Sequence, residues 1–114
     1  MDDCLFCSIA DRKIPANVVY EDDQVMAFHD INPVAPVHVL IIPKKHISSL
    51  NEAEGHDQEL LGHILLTAGK LAAELGIAEA GYRLITNTGP NGGQVIFHLH
   101  FHLIGGRHLG SKIA

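Results

Sequence analysis

An α+β domain with an antiparallel sheet of about five strands, one long helix and a short N-terminal helix is what this sequence predicts, and three observations carry the prediction. Short β-branched runs follow one another across turn formers instead of alternating with helices, which disfavours a wound parallel sheet. Only one stretch, from about residue 52 to 75, keeps a helical spacing of apolar residues over several turns. The 114 residues supply one hydrophobic core and are too few for two, so 1–114 is read as a single domain.

The elements follow in order. Leu5, Phe6, Ile9 and Ala10 recur at helical spacing within Asp3–Arg12, giving a short helix that carries Cys4 and Cys7 and ends before Pro15. Val18–Glu21 and Val25–His29 flank Asp22-Asp23 and read as a hairpin. Asp30–Pro36 holds two prolines and is a loop. His38–Ile42 lies between Pro36 and Pro43, and its apolar run predicts a central strand buried on both faces. In the long helix Leu60, Leu61, Ile64, Leu65, Ala68, Leu71, Ala72 and Leu75 form the apolar stripe, and Gly76 and Gly81 bracket the exit. Tyr82–Asn87 is a further strand, Thr88–Gln94 a loop rich in Gly, Pro and Asn, and Val95–Ile104 the last strand.

Composition narrows the function classes. With 46% hydrophobic and 18% charged residues the chain is neither a disordered tail nor a collagen-like polymer. No apolar run reaches the roughly 18 to 20 residues of a membrane span, and the acids of Met1-Asp2-Asp3-Cys4 stand where a signal peptide is basic; the expected compartment is the cytoplasm. Eight Lys and Arg against 13 Asp and Glu give a net charge of −5, which disfavours extended nucleic-acid binding. Two cysteines cannot build a disulfide framework, so Cys4-x-x-Cys7 points to redox or metal chemistry. Histidine is the outlier: there are 9, one more than Lys and Arg together, and imidazole serves proton transfer, nucleophilic attack and metal ligation near neutral pH.

Three of the nine stand at His98-Leu99-His100-Phe101-His102. In a strand this alternation puts the imidazoles on one face and Leu99, Phe101 and Leu103 on the other, with same-face neighbours about 6.5 Å apart. Such a row fits a metal site, a polar strand face or a phosphate-handling centre; the adjoining Gly-rich loop, with free backbone N–H groups suited to an anion, favours the last.

The row resembles the signature of the histidine triad superfamily, H-x-H-x-H followed by apolar residues. Phe28-His29-Asp30-Ile31, Pro36-Val37-His38, Ile42-Pro43-Lys44-Lys45-His46-Ile47, Gly92-Gly93-Gln94 and Leu103-Ile104-Gly105-Gly106-Arg107 resemble its Hint branch, the histidine triad nucleotide-binding proteins, so the likeness spans the chain. It implies a hydrolase that cleaves the P–N bond of purine nucleoside 5′-phosphoramidates. By resemblance His100 is the nucleophile that forms a nucleotidyl-histidine, His102 binds the phosphoryl oxygens, and His38 orients the nucleophile and handles its proton. Asp30 matches the carboxylate that accepts from the ribose hydroxyls, and Asn87 a polar neighbour of ribose and phosphate. Leu5, Phe6, Ile9, Phe28 and Leu40 match the slot around the base, though by composition alone they are ordinary core residues. Gly92 and Gly93 match the loop beside the phosphate.

Two features depart from many Hint proteins. Val95 stands where a polar residue usually contacts the leaving group. Cys4 and Cys7 are matched in zinc-bearing relatives, where the metal also takes the histidines found here at His46 and His98; a Cys₂His₂ set suits a structural zinc with no open position. The resemblance further implies a homodimer paired through the long helix and an edge strand. Two rival readings share the triad: a dinucleoside polyphosphate hydrolase, which the Gly105-Gly106-Arg107 ending disfavours, and a nucleotide-sensing or partner-binding module in which hydrolysis is incidental.

Overall fold

A computed structural model describes residues 4–113. Helix α1 (Leu5–Ala10) is followed by β1 (Val18–Glu21), β2 (Val25–His29) and β3 (Val37–Pro43). Two single 3-10 turns, Leu50–Glu52 and Gly55–Asp57, lead into α2 (Gln58–Glu74), and β4 (Tyr82–Ile85) and β5 (Phe101–Gly105) close the chain. The five strands form one antiparallel sheet in the order β1-β2-β3-β5-β4, the α+β architecture expected. Asp3, placed in the first helix by the sequence pattern, lies outside the described residues.

The register makes β3 the axis of the molecule. It pairs with β2 from His29↔Val39 to Val25↔Pro43, and with β5 from Val37↔Gly105 to Ile41↔Phe101. Side chains on a strand alternate between faces, so Val39 and Ile41 enter a core shared with Leu60, Ile64, Ala68 and Leu71 of α2, whereas Leu40 and Ile42 enter a second core with Phe6 and Ile9 of α1. Both faces of β3 are therefore covered, as its apolar run required. Ile64 and Leu71 are fully buried, which stabilises the fold by about 2 kcal/mol for each side chain. On α2 the stripe holds at Leu60, Ile64, Ala68, Leu71 and Ala72, but Leu65 and Leu66 face outward.

Local chemistry sets the ends. The Asp22 carboxylate accepts from the amides of Gln24 and Val25 and closes the β1–β2 turn. Gly76, in the left-handed region at φ 78°, lets the amide of Ile77 return to the carbonyl of Ala72 and stop α2. Among the described residues no helix is long and apolar enough to cross a membrane.

The first helix starts at Leu5 with Cys4 as its cap, β3 runs one residue further at each end than expected, and three other boundaries differ from the sequence expectation for local reasons. The long helix begins at Gln58 and not near residue 52, because Ser49 and Glu54 each cap a separate 3-10 turn. β4 stops at Ile85, two residues short, where the Thr86 hydroxyl bonds the carbonyl of His100 and the Asn87 side chain turns to Gly92. The last strand begins at Phe101 and not at Val95. The carbonyl of Pro43 accepts from the His98 ring, and the amide of Leu99 bonds Ile47 beyond the end of β3. Residues 95–100 are thus held outside a ladder.

Candidate active site

Although His98 and His100 precede β5, the alternation of faces survives. Leu99, Phe101 and Leu103 lie in the core under α2, and the three imidazoles turn to the α1 side, where Phe6 meets the rings of His98 and His100 edge-on at 6.0 and 5.0 Å. The His100 and His102 rings are 5.2 Å apart between centroids.

The hydrogen bonds fix how each ring carries its proton. His100 Nδ1 is 2.7 Å from the carbonyl oxygen of His98. A carbonyl only accepts, so Nδ1 donates, and in the neutral ring the lone pair is on Nε2. His38, buried on β3, accepts at Nδ1 from the amide of Val34 at 3.2 Å, so its proton sits on Nε2. That Nε2–H lies 2.9 Å from His102 Nδ1 and 3.4 Å from the Asp30 carboxylate. His102 then accepts at Nδ1 and bears its own proton on Nε2. Burial, followed by the neighbouring His100 and His38, pushes the His102 pKa down to about 4, so this ring is neutral at physiological pH. One imidazole with a bare nitrogen stands beside another that offers an N–H, a pairing suited to nucleophilic attack on a phosphorus centre whose oxygens need a donor.

The residues expected around a nucleotide occupy two environments. Asp30 follows β2 at the rim; one carboxylate oxygen accepts from the amide of Asn32 and the other faces His38. Phe6, Ile9, Phe28 and Leu40 are buried in the second core, while Leu5 is exposed on α1. Asn87 donates to the carbonyl of Gly92 and so spans the glycine loop. A Cβ on Gly92 would lie 2.4 Å from the carbonyl oxygen of Thr88, so the close approach that requires glycine there is within the loop. Gly93 takes φ 79°. Val95 is 83% exposed and packs into neither core.

Sequence reasoning gave Gln94 no role, yet it is the buried anchor of this loop. Its amide group donates to the carbonyls of Ser48 and Ile96 and accepts from the amide of Gly89. The signal available was a glutamine closing Gly92-Gly93-Gln94; its partners are main-chain atoms that no motif records. Val34, which meets His38, was missed for the same reason.

On the far side of His98, four donor atoms converge. Cys4 Sγ and His98 Nδ1 are 3.2 Å apart, Cys7 Sγ lies 3.2 Å from His46 Nδ1 and 3.4 Å from His98 Nδ1, and the two histidine nitrogens are 3.2 Å apart. A tetrahedron with ordinary Zn–N and Zn–S bonds has edges of about 3.3 to 3.8 Å, so these residues fit a four-coordinate cation. His98 donates from Nε2 to Pro43 at 2.7 Å, which leaves Nδ1 free to ligate. With no cation, burial and the adjacent Cys4 push the Cys7 thiol up to about 11, whereas a bound cation stabilises the thiolate.

Comparison with known proteins places this geometry. The HIT domain family matches residues 11–109. An uncharacterized HIT-like protein of Synechococcus elongatus is 55% identical over 108 residues, covering 95% of this chain and 94% of that protein. The purine nucleoside phosphoramidase of Escherichia coli K12 is 47% identical over 113 residues, 99% of this chain and 95% of the relative. Among solved structures, a HIT family hydrolase from Clostridium thermocellum superposes with a TM-score of 0.97 at 52% identity, over 100% of this chain and 99% of the other. A histidine triad protein from Clostridium difficile does so with a TM-score of 0.95 at 45% identity, over 98% and 97%.

Proposed function

The chain belongs to the HIT family, and from that premise we propose that it is a purine nucleoside phosphoramidate hydrolase working through a covalent nucleotidyl-histidine. The observation that carries this reading is the ring of His100, held by the His98 carbonyl with Nε2 bare, beside a neutral His102 whose proton is on Nε2.

In this reading His100 Nε2 attacks the α-phosphorus and the P–N bond to the amine breaks, the departing nitrogen taking a proton from solvent that the attacking water of the second step gives back. His102 Nε2–H bonds the phosphoryl oxygens, and His38 fixes its tautomer. Water then attacks the same phosphorus, the bond to His100 breaks, and the nucleoside monophosphate is released with the ring restored. Asp30 accepts from the ribose hydroxyls, Leu5 borders the base, and the buried Phe6, Ile9, Phe28 and Leu40 form the floor behind it. Asn87 and Gly93 shape the phosphate loop.

Cys4, Cys7, His46 and His98 would hold one structural zinc, which supplies a cross-link between α1 and the chain before β5 and leaves no position open for substrate. The exposed Leu65 and Leu66 of α2, with Tyr82 of the sheet-edge strand β4, support a homodimer formed across that helix and edge.

The test is His100→Ala. Turnover of an adenosine 5′-phosphoramidate should fall by roughly 10⁴-fold or more, with binding of the monophosphate retained, and a nucleotidyl adduct trapped on the parent should map to His100 by mass spectrometry. Near-normal turnover would remove the nucleophile assignment. Preference for a diadenosine polyphosphate over the phosphoramidate would favour the polyphosphate hydrolase instead, and binding with no turnover of either would favour a nucleotide sensor.

A further inference from the structure

Gly106 and Arg107 follow β5 directly and grip the loop that feeds His38. Arg107 Nη2 donates to the carbonyl of Val34 at 3.1 Å. On the other side of that residue, the Val34 amide donates to His38 Nδ1. Gly106 closes against the same loop: at φ 93° it lies where a Cβ would stand 2.9 Å from the Pro36 Cβ. The loop between β2 and β3 is otherwise tied near its ends, by the Asp30 amide on the His38 carbonyl and the Asn32 amide on the Asp30 carboxylate. Arg107 holds its middle.

We propose that Arg107 is a positioning residue: by holding Val34 at its carbonyl it keeps the amide of the same residue aimed at His38 Nδ1, so that His38 stays in the tautomer with its proton on Nε2, and through His38 it sets the tautomer of His102. The reason is directional. A peptide N–H aimed at His38 Nδ1 is compatible with a lone pair there and repels a second N–H, so the opposite tautomer loses a partly buried hydrogen bond and gains a clash of donors. With Nε2 of His38 donating, His102 Nδ1 must accept and Nε2 must carry the proton. Were His38 to flip its tautomer, His102 would donate at Nδ1 and present a bare nitrogen at Nε2, losing the N–H that meets the phosphoryl oxygens. That consequence for turnover rests on the phosphoramidase reading, but the tautomer does not. The Asp30 carboxylate, 3.4 Å from His38 Nε2, favours the same tautomer, and the experiment must separate its share from that of Arg107.

The measurement is the ¹⁵N shifts of His38 and His102 at a pH where both rings are neutral, in the ligand-free protein. In the parent His38 should show one acceptor-type nitrogen at Nδ1 and one protonated nitrogen at Nε2, widely separated. In Arg107→Ala the two shifts should move toward each other, and Arg107→Lys, which keeps a donor, should restore much of the separation. Turnover in Arg107→Ala should drop about threefold to tenfold, the equivalent of one hydrogen bond, in kcat with KM little changed and the melting temperature held. Gly106→Ala displaces the loop from its other side and should move the same shifts. If neither substitution alters the His38 shifts, Asp30 and His102 suffice and the proposal is overturned. If the shifts respond while the parent hydrolyses no phosphoramidate, the positioning role stands and the proposed function falls.

Discussion

By its resemblance to the Hint proteins, Val95 is one of the two places at which this chain departs from their usual pattern. Its isopropyl group is turned into solvent, so the position is not spent on packing. In the proposed reaction a polar side chain at this position would orient or protonate the departing nitrogen; valine offers no hydrogen bond, and the loss of one such contact in a transition state costs roughly 1 to 3 kcal/mol. Val95→Ser should therefore raise turnover of simple alkyl phosphoramidates, whose amines are poor leaving groups, more than that of activated esters, which depart without help. Equal gains on both would mean that the residue does not act on the leaving group. Because the side chain is exposed, the melting temperature should stay unchanged.

At the scale of elements, Asp22 clamps the β1–β2 turn to the long helix. Tyr20 donates to Asp22 Oδ2 at 2.7 Å and His63 of α2 reaches the same oxygen at 2.6 Å, while Oδ1 takes the two turn amides. Partial burial works to raise the carboxyl pKa, but the Gln24 amide, the Tyr20 hydroxyl, the His63 ring and the Val25 amide outweigh it and hold the group well below the usual carboxylate range. A carboxyl with a lowered pKa in the fold stabilises it above the unfolded value of about 4, and that stability is lost as pH falls toward the folded value. Asp22→Asn should cost about 1 to 2 kcal/mol in urea unfolding at neutral pH, and the gap between parent and variant should narrow below about pH 4. A gap independent of pH would show that the clamp is steric.

Two predictions belong to the whole molecule. Light scattering should give twice the chain mass of 12.4 kDa at micromolar concentration, and Leu66→Glu on the exposed face of α2 should return the monomer; a monomeric parent would refute the dimer. The second concerns the four-donor cluster, which draws α1, the chain after β3 and the segment before β5 to one point. Elemental analysis of protein purified without an affinity tag should find one zinc per chain, and chelation should lower the melting temperature. Metal content should fall on acidification as thiolates and imidazoles take up protons. A metal-free chain whose stability ignores added zinc would leave Cys4 and Cys7 as free thiols.

The sequence by itself determined what depends on side-chain spacing. Alternation in His98–Leu103 put imidazoles and apolar groups on opposite faces whether or not the segment paired, and the unbroken run through Val39–Ile42 required cover on both sides of β3. The Asp22-Asp23 turn and the stripe of α2 were legible for the same reason, since pattern and turn chemistry are local. Only the tertiary structure decided where β5 begins, which nitrogen of each histidine carries the proton, and that Val34 meets His38, Gln94 ties down the glycine loop and Arg107 reaches Val34. Those outcomes depend on main-chain carbonyls and amides of distant segments: Pro43 receives His98 across 55 positions, and Arg107 reaches Val34 across 73. Nearly every residue carries the same backbone donor and acceptor, so a sequence marks no one of them as a partner until the fold brings a side chain within reach.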